Sequence, residues 1–335
     1  MGRTARPPPA GWTQQKTLRG SKVRDDACPA DGVHGVWKRA AMRILVAVDG
    51  SSSSDAVMRE VVRRPWPVGS EFALVQVVDP FFFPKAPLLL QETKQNTRKA
   101  LEELAKPLLE AGWKVEPNVI LDNPRHTLPR AASEWRAELV MMGSHGRGTV
   151  GRLLVGSTTQ AVLRHAECSV EIVRAKAEDG SREEGMRVLV PTDGSEHAQA
   201  ALAAVAARPW PKGSEFRVIA SPEYPVLVGE YPYYAPDQVA ELTRQSLEHA
   251  KTAIDTGIDS LKKVGLNVSG EVMEPEDTPS HSILAAAGEW KAELIVMGSH
   301  GRRGFDRLIL GSVSETVALH ATCSVEVVRM PLAVM

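Results

Sequence analysis

Two segments of the chain combine glycine, serine, histidine and arginine at the same spacing. Residues 139–157 read LVMMGSHGRGTVGRLLVGS, and residues 294–312 read LIVMGSHGRRGFDRLILGS. Each begins with an apolar run and ends in a Gly-Ser pair that precedes a helix-like stretch. The backbone amides of a glycine-rich loop and the N-terminus of the following helix can bind anionic oxygens. The spacing therefore predicts two phosphate-binding loops, at Gly143, Gly146 and Gly156-Ser157 and at Gly298, Gly301 and Gly311-Ser312.

The first glycine of each loop, Gly143 or Gly298, directly follows a predicted strand. We expect glycine there because the chain turns sharply, uses positive φ and brings its backbone close to a ligand. The pattern is neither a Gly-Lys-Ser/Thr P-loop nor the dinucleotide fingerprint that follows a first strand. Arg147 and Arg302 are placed to add positive charge near the phosphates. We expect the arginines further along the loops to be solvated; they are Arg152 and Arg307.

Acidic and basic side chains accompany both loops. Asp49 and Asp193 end the first strand of each repeat, in VAVDGS and VPTDGS. Each is either a turn aspartate of an Asp-Gly-Ser turn or an acceptor for ribose hydroxyls or an adenine amino group. The neighbouring glycine loop favours the ligand role. His145 and His300 have no acidic or nucleophilic partner at a telling spacing, so we expect them to shape the loop rather than act in acid–base chemistry.

The composition limits the classes of protein to which the chain can belong. Its 335 residues favour two domains, and 43% hydrophobic with 24% charged residues is ordinary for a globular protein. A net charge of −1 gives no indication of a nucleic-acid or membrane-surface partner. No apolar run approaches the roughly 20 residues that span a bilayer. Three cysteines are too few for a disulfide framework, which favours a reducing cytoplasm.

Residues 1–41 differ from the rest of the chain. They hold eight Lys or Arg against three Asp, a net charge of +5, together with a Pro-Pro-Pro run and no periodic pattern. This composition predicts a disordered basic extension. It contains no apolar segment of the kind that a signal peptide needs.

The remainder is a duplication. MRILVAVDGS (42–51) matches MRVLVPTDGS (186–195), and AECSVEIVR (166–174) matches ATCSVEVVR (321–329). In each copy, short apolar runs alternate with longer amphipathic segments, which predicts a doubly wound α/β domain with a parallel sheet. In such sheets ligands bind beyond the carboxyl ends of the strands. We predict domains at 42–174 and 186–330, joined by a charged linker at 175–185.

Taken together, these residues resemble the universal stress protein family in its tandem two-domain form, over nearly all of residues 42–330. The family's ATP-binding pattern, Gly-x2-Gly-x9-Gly-Ser, is met in full by both copies. The resemblance implies two Rossmann-like domains of the adenine nucleotide alpha hydrolase-like type, each with a five-stranded parallel sheet, and ATP held between the first-strand aspartate and the glycine loop. It implies a first site at Asp49, Val77, Met142, Gly143, Ser144, His145, Gly146, Arg147, Gly156, Ser157 and Thr158, and a second at Asp193, Met297, Gly298, Ser299, His300, Gly301, Arg302, Gly311, Ser312 and Val313.

The second copy departs from the family pattern where adenine is expected. The position that matches Val77 is Ser221, followed by Pro222, which predicts altered adenine recognition there. Segments 81–90 and 222–237, which follow the second strands, differ completely between the copies. Each is a lid over adenine, a partner surface, or a segment folded onto its own domain, and we favour the last.

Two further positions carry structural expectations. Glu171 and Glu326 occupy the last strands, at positions where the family's domains pair. As lone charges in edge strands, we expect them to face water. Pro129, which matches Leu284 of the second copy, is expected to distort the third helix.

Three functions remain open. The first is an ATP-binding regulatory protein of the stress response whose output is a conformational or partner change, which the doubled loops and the lack of an evident general base favour. The second is an enzyme that hydrolyses ATP slowly or transfers adenylyl groups, with Mg²⁺ held by the phosphates and assistance from His145 or His300. The third is a module that recruits unknown protein partners around structural nucleotides. We expect either a homodimer or an intramolecular pseudo-dimer.

Overall fold

The structure is a computed structural model that describes residues 41–146, 155–175, 185–222, 236–274, 278–302 and 310–330. The predictions for the basic extension, for most of the linker and for most of segment 222–237 fall outside these residues. The first half contains β1 (Arg43–Ala47), α1 (Ser52–Arg63), β2 (Glu71–Val78), a 3-10 turn (Pro80–Phe82), α2 (Pro87–Glu110), β3 (Lys114–Leu121), α3 (Pro124–Glu134), β4 (Leu139–Gly143), α4 (Ser157–His165) and β5 (Ser169–Val173). The second contains β6 (Arg187–Pro191), α5 (Glu196–Ala206), β7 (Glu215–Ala220), α6 (Pro236–Lys262), β8 (Asn267–Val272), α7 (Pro279–Glu289), β9 (Leu294–Gly298), α8 (Ser312–His320) and β10 (Ser324–Val328).

Strands and helices alternate as the sequence pattern predicts. The inner strands read as runs of valine, isoleucine, leucine and methionine because helices cover both faces of the sheet. Each half is a five-stranded parallel sheet, in the order β3-β2-β1-β4-β5 and β10-β9-β6-β7-β8. The strand order reverses between β1 and β4, and between β6 and β9. These two switch points are where a doubly wound sheet binds its ligands, and they confirm the predicted fold class.

The two halves form one ten-stranded sheet. β5 and β10 pair antiparallel, with Glu326 opposite Glu171 and valine or isoleucine on either side. On the face covered by α3, α4, α7 and α8, one hydrophobic core runs continuously through both halves. On the opposite face, α1 and α2 cover a core of the first half, and α5 and α6 cover a separate core of the second. The halves are therefore fused on one face of the sheet and distinct on the other.

The prediction that Glu171 and Glu326 face water is wrong. Their residue exposures are 0% and 2%. Arg64, which directly follows α1, donates from both Nη atoms to the Glu171 carboxylate at 2.7 Å, and Arg208 Nη2 donates to Glu326 Oε2 at 2.8 Å. The reason is that β5 and β10 are central strands rather than edge strands. The carboxylates are enclosed between the helices that follow β1 and β6, and each helix end supplies the counter-charge.

Reciprocal arginines also tie the halves together. Arg174 follows β5 and donates to Ala318 O and Leu319 O at the end of α8, and to Cys323 O just before β10, at 2.9–3.2 Å. Arg329 follows β10 and donates to Leu163 O and Arg164 O at the end of α4, at 2.9 and 3.3 Å. A guanidinium at a helix C-terminus donates to carbonyls that have no intrahelical partner, and its positive charge interacts favourably with the negative end of the helix dipole. Each half therefore caps a helix of the other.

One local expectation is wrong: Pro129 lies inside α3, which continues unbroken from Pro124 to Glu134. Residues 81–90 include the end of the 3-10 turn and the first turn of α2, and they fold onto their own domain in part, through Phe83 and Leu90, which pack against the core of the first half. Four apolar side chains there are exposed, with fractions of 52–86%; they are Phe81, Phe82, Leu88 and Leu89.

In the described part of the chain, none of the helices combines the length and the apolar character needed to cross a membrane. The same residues contain no cluster of three or more histidine, cysteine or acidic side chains arranged to hold a metal ion. Burial raises the pKa of Cys168 to about 12 and that of Cys323 to about 11, so both thiols remain protonated. They act as small packing residues at the start of the last strands.

Candidate functional site

The aspartate after the first strand organises a turn in each half. Asp49 Oδ1 accepts hydrogen bonds from Ser51 N at 3.0 Å and from Ser54 Oγ at 2.7 Å. In the second half, Asp193 Oδ1 accepts from Ser195 N at 3.0 Å, and Oδ2 accepts from Arg302 N at 3.0 Å. The turn interpretation of these aspartates is thus observed directly. The hydrogen bond from Arg302 N also places the carboxylate of Asp193 against the glycine loop of the second half.

The glycines of the loops are required by close contacts rather than by their φ angles. Neither Gly143 nor Gly298 has positive φ, so that part of the prediction is wrong. A Cβ on Gly143 would lie 2.6 Å from Ser53 Cβ, and a Cβ on Gly298 would lie 2.6 Å from the backbone of His197. Real Cβ contacts are not this short. The loop therefore lies directly on the first turn of the helix that follows the first strand.

The second glycines bring the loop to the aspartate. A Cβ on Gly146 would lie 2.8 Å from Asp49 Oδ2, and a Cβ on Gly301 would lie 2.9 Å from Asp193 Oδ2. The carboxyl ends of two adjacent strands and the loop between them thus form one compact edge. Any larger residue would push the loop away from the carboxylate.

A backbone hydrogen bond closes each loop onto itself. Gly156 N donates to Ser144 O at 2.7 Å, and Gly311 N donates to Ser299 O at 2.9 Å. The helices α4 and α8 then begin, with no side chain capping their N-termini. The first intrahelical bond of α4 is donated by Gln160 N, so the amides of residues 157–159 precede it. Unbonded amides and the positive end of the dipole at this point favour an anion.

Sequence reasoning missed two hydroxyl contacts that fix the helix to the loop. Thr159 Oγ1 donates to Gly143 O at 2.9 Å, and Ser314 Oγ donates to Gly298 O at 2.7 Å. Both hydroxyls are in the third residue of their helix. The signal that would have revealed them is the matched hydroxyl two residues after each Gly-Ser pair.

Sequence reasoning also missed a positively charged side chain at the candidate site of the first half. Arg125, in the first turn of α3, donates from Nη2 to Ser157 Oγ at 2.7 Å. This places a guanidinium beside the uncapped start of α4. The matching position in α7 is Ser280. The two candidate sites therefore differ in charge although their glycine patterns are the same.

The surroundings of the two loop histidines favour their neutral forms. Ser144 Oγ lies 2.9 Å from His145 Nδ1, and Nε2 of this histidine is buried with no hydrogen-bond partner among the described residues. Burial, followed by the nearby Arg174 charge, lowers the pKa of His145. Burial, followed by the charges of His197 and Arg329, lowers the pKa of His300. None of these influences is an acidic partner of the kind that orients a general base.

The remaining predicted residues line the same edge of the sheet. Met142 and Met297 are buried in the core, so their side chains face away from a ligand and only their backbone is available. Thr158 and Val313 are half-buried in the first turns of α4 and α8. Val77 is the penultimate residue of β2, on the other side of β1 from the glycine loop, at a separation of about 10 Å for two strand spacings. Three arginines lie outside the described residues: Arg147, Arg152 and Arg307.

The family comparison identifies this arrangement. A family model described as the universal stress protein family matches residues 41–174 and 186–329. The chain belongs to the universal stress protein family. The duplicated α/β halves with glycine loops at the switch points are its two universal stress protein domains.

Relatives match the tandem arrangement along most of their length. A universal stress protein of Mycolicibacterium smegmatis is 28% identical over 298 residues, which cover 85% of this chain and 96% of the relative. One from Mycobacterium tuberculosis is 29% identical over 296 residues, covering 83% and 93%. The crystal structure of a universal stress protein from Archaeoglobus fulgidus superposes with a TM-score of 0.60 at 22% identity, covering 87% of this chain and 97% of that one. At that identity the likeness shows a shared universal stress protein fold.

Proposed function

We propose that this universal stress protein binds ATP at the carboxyl edge of each half and acts as a nucleotide-dependent regulator in the stress response. One observation carries the proposal. In both halves a glycine loop, closed by its own backbone, lies against the first-strand aspartate and ends at a helix with no N-terminal side-chain cap. Amides and a helix dipole that converge on one point are suited to a polyphosphate.

The residues present fit ATP in type and position. The phosphates would lie against the amides of the glycine loop and of the first turn of α4 or α8, with Arg125 close by in the first half. The ribose and base would extend across the end of β1 towards Val77 or, in the second half, across β6 towards Ser221. The negative charge of the ATP phosphates is what these backbone amides would bind. The residues proposed to hold it are Asp49, Val77, Met142, Gly143, Ser144, His145, Gly146, Arg147, Gly156, Ser157 and Thr158, and Asp193, Met297, Gly298, Ser299, His300, Gly301, Arg302, Gly311, Ser312 and Val313.

The base end of the second site is polar where that of the first is apolar. Ser221 Oγ is buried and has no hydrogen-bond partner among the described residues. A buried hydroxyl without a partner carries a free-energy cost that a base nitrogen or amino group would relieve. Val77 offers only apolar contact. This difference supports unequal base recognition by the two halves.

The test introduces a negative charge that is compatible with a helix N-terminus but repels a bound phosphate. Ser157→Asp with Ser312→Asp places a carboxylate in the first turn of α4 and of α8, where it favours the helix dipole. We expect the melting temperature to be kept and the affinity for ATP to fall by about tenfold or more, since about 1.4 kcal/mol of repulsion suffices. Isothermal titration calorimetry with Mg²⁺ and ATP measures this, with up to two ATP bound per wild-type chain.

The matched control adds the same number of negative charges at positions away from the candidate sites. Gln95→Glu with Thr256→Glu adds two negative charges on exposed positions of α2 and α6. It should bind ATP as the wild type does. A wild-type protein that binds no ATP, or an unchanged affinity in the Ser157 and Ser312 variant, would overturn the proposal. Release of phosphate faster than in buffer alone would favour the alternative of a slow ATPase.

A further inference from the structure

Titratable side chains accompany the glycine loop of the second half much more than that of the first. His197, in the first turn of α5, stands where α1 of the first half has Ser53. Ser299 Oγ lies 3.3 Å from His197 Nδ1 and 3.1 Å from His300 Nδ1. The two imidazole rings are 4.9 Å apart between centroids. One serine hydroxyl thus joins two histidines at the loop.

The histidine pair lies at the place proposed for the phosphates. The backbone of His197 is the group that a Cβ on Gly298 would strike, so the residue lies directly under the loop. It is also in the first turn of a helix that begins beside Asp193. A third histidine is close: His249 of α6 lies with Nε2 3.1 Å from Asp193 O. The corresponding helix α2 contains no histidine.

The surrounding charges set how easily the pair is protonated. The nearby titratable groups are Asp193, whose carboxylate accepts from the backbone of Ser195 and Arg302, the exposed Glu196 that precedes His197, and His249, which lies against Asp193 O. Arg329 approaches from β10. Two adjacent imidazoles and an arginine disfavour a second positive charge while the loop holds no anion, and burial acts in the same direction.

An anion reverses this balance. A phosphate group within reach of the two rings would favour their protonated forms, because an opposite charge nearby stabilises the charged state. Binding then raises the pKa of the pair, and linkage requires that affinity increases as pH falls. The first half has less of this coupling: it keeps one loop histidine, His145, with Ser53 in place of His197. The charge of Arg125 does not titrate in this range.

We propose that His197 and His300 make the second half a proton-coupled phosphate site, which takes up protons when ATP binds, while the first half binds ATP with a permanent guanidinium charge. The inference rests on the proposed ATP-binding function and adds that the two halves respond differently to pH. The histidine pair is the feature that distinguishes the sites. Acidification would fill the second site in preference to the first.

The experiment distinguishes the two sites in the full chain. Ser157→Asp weakens the first site so that ATP fills the second site first, and Ser312→Asp does the reverse. Calorimetric titration with ATP at pH 6, 7 and 8, in two buffers of different ionisation heat, gives both the affinity and the number of protons taken up. For the second site we expect uptake of up to about one proton and an affinity that rises by up to about tenfold per pH unit of acidification.

Exchange of the distinguishing residue provides the matched controls. His197→Ser should remove most of the proton uptake from the second site, and Ser53→His should increase uptake at the first. The terminal phosphate of ATP itself titrates in this range, and the first site of the otherwise unchanged chain measures that contribution. His197→Gln, which retains a polar side chain of similar length, replaces His197→Ser if the latter lowers the melting temperature.

The outcomes separate the two proposals. Equal proton uptake at the two sites, or uptake by the second site that survives both His197→Ser and His197→Gln, would overturn the histidine coupling and leave ATP binding intact. If the wild type binds no ATP at any of the three pH values, the proposed function fails and the coupling fails with it. Transfer of the pH dependence with the histidine would establish the inference.

Discussion

At the scale of single residues, the candidate sites are distinguished by side chains outside the glycine pattern. Arg125 reaches Ser157 at the start of α4, and its counterpart Ser280 carries no charge. The first half therefore presents a permanent cation and the second an imidazole pair. Charge recognition of a phosphate by arginine is strong when the guanidinium lies in hydrogen-bond range.

Arg125 provides a prediction that belongs to this scale. Arg125→Gln should weaken ATP binding at the first site by about three- to tenfold, because a charge-assisted contact of about 1 kcal/mol or more is lost. Binding at the second site should be unchanged. Titration of Arg125→Gln in a Ser312→Asp chain and in a Ser157→Asp chain measures the two sites separately. Equal weakening at both sites would contradict a direct role for this side chain.

Residue types and spacing predicted much of the candidate site. Two glycine segments after predicted strands indicated loops at the sheet edge, and the structure has loops there. What sequence reasoning missed depends on contacts between distant parts of the chain. Arg125 lies 32 positions from its partner Ser157. The expectation of positive φ was wrong because the neighbour that excludes a Cβ at Gly143 is Ser53, on a different element.

At the scale of elements, the 3-10 turn after β2 exposes aromatic side chains near the proposed nucleotide edge. Phe81 and Phe82 are 81% and 76% exposed, with rings 6.0 Å apart in an edge-to-face arrangement. In contrast, Phe72 of β2 is 1% exposed and packs against Trp66 and Trp113. Two kinds of phenylalanine therefore lie within one strand and the turn that follows it.

This contrast predicts different effects on stability. Phe81→Ala and Phe82→Ala should each change the free energy of unfolding by no more than about 0.5 kcal/mol. Phe72→Ala, the buried control, should cost about 3–5 kcal/mol because it leaves a cavity in the core. Urea denaturation of the three variants compares them. A loss of more than about 2 kcal/mol at Phe81 or Phe82 would mean that these rings pack against the rest of the protein.

The order of elements was predictable and their junction was not. Short apolar runs between amphipathic segments predicted the alternation of strands and helices, since a strand covered on both faces has a continuous apolar sequence. Glu171 looked like an edge charge because its partner Arg64 is 107 positions away. Only the antiparallel pairing of β5 with β10 makes these strands central and turns both carboxylates inward.

At the scale of the whole molecule, buried ion pairs fill the face on which the two halves remain distinct. Arg64 and Glu171 are 7% and 0% exposed, and two hydrogen bonds of 2.7 Å join them. Burial alone would lower the pKa of Arg64, but the carboxylates of Glu171 and Glu60 outweigh it and raise that pKa. The guanidinium is therefore charged at neutral pH.

Loss of one partner should be far more damaging than loss of both. Arg64→Met leaves the Glu171 carboxylate buried without its main counter-charge and should cost about 3–5 kcal/mol of stability. Arg64→Met with Glu171→Leu replaces the pair by apolar side chains and should recover most of that loss. Thermal and urea unfolding of the single and double variants measure the coupling. A double variant that is as unstable as the sum of its single changes would show that the pair is not coupled.

The pairing of β5 with β10 within one chain has a further consequence. Two separate subunits come apart on dilution, whereas covalently joined halves meet at an effective concentration set by the connecting segment. The pairing of β5 with β10 therefore does not depend on the protein concentration. In a dimer of identical subunits a substitution appears in both subunits, whereas here it appears in one half only. For example, Arg164 pairs with Glu315 across the junction, but the residue that matches Arg164 is Leu319 and the residue that matches Glu315 is Gln160. Covalent linkage thus allows the two halves to carry different residues at matching positions, such as Arg125 and Ser280 or Ser53 and His197.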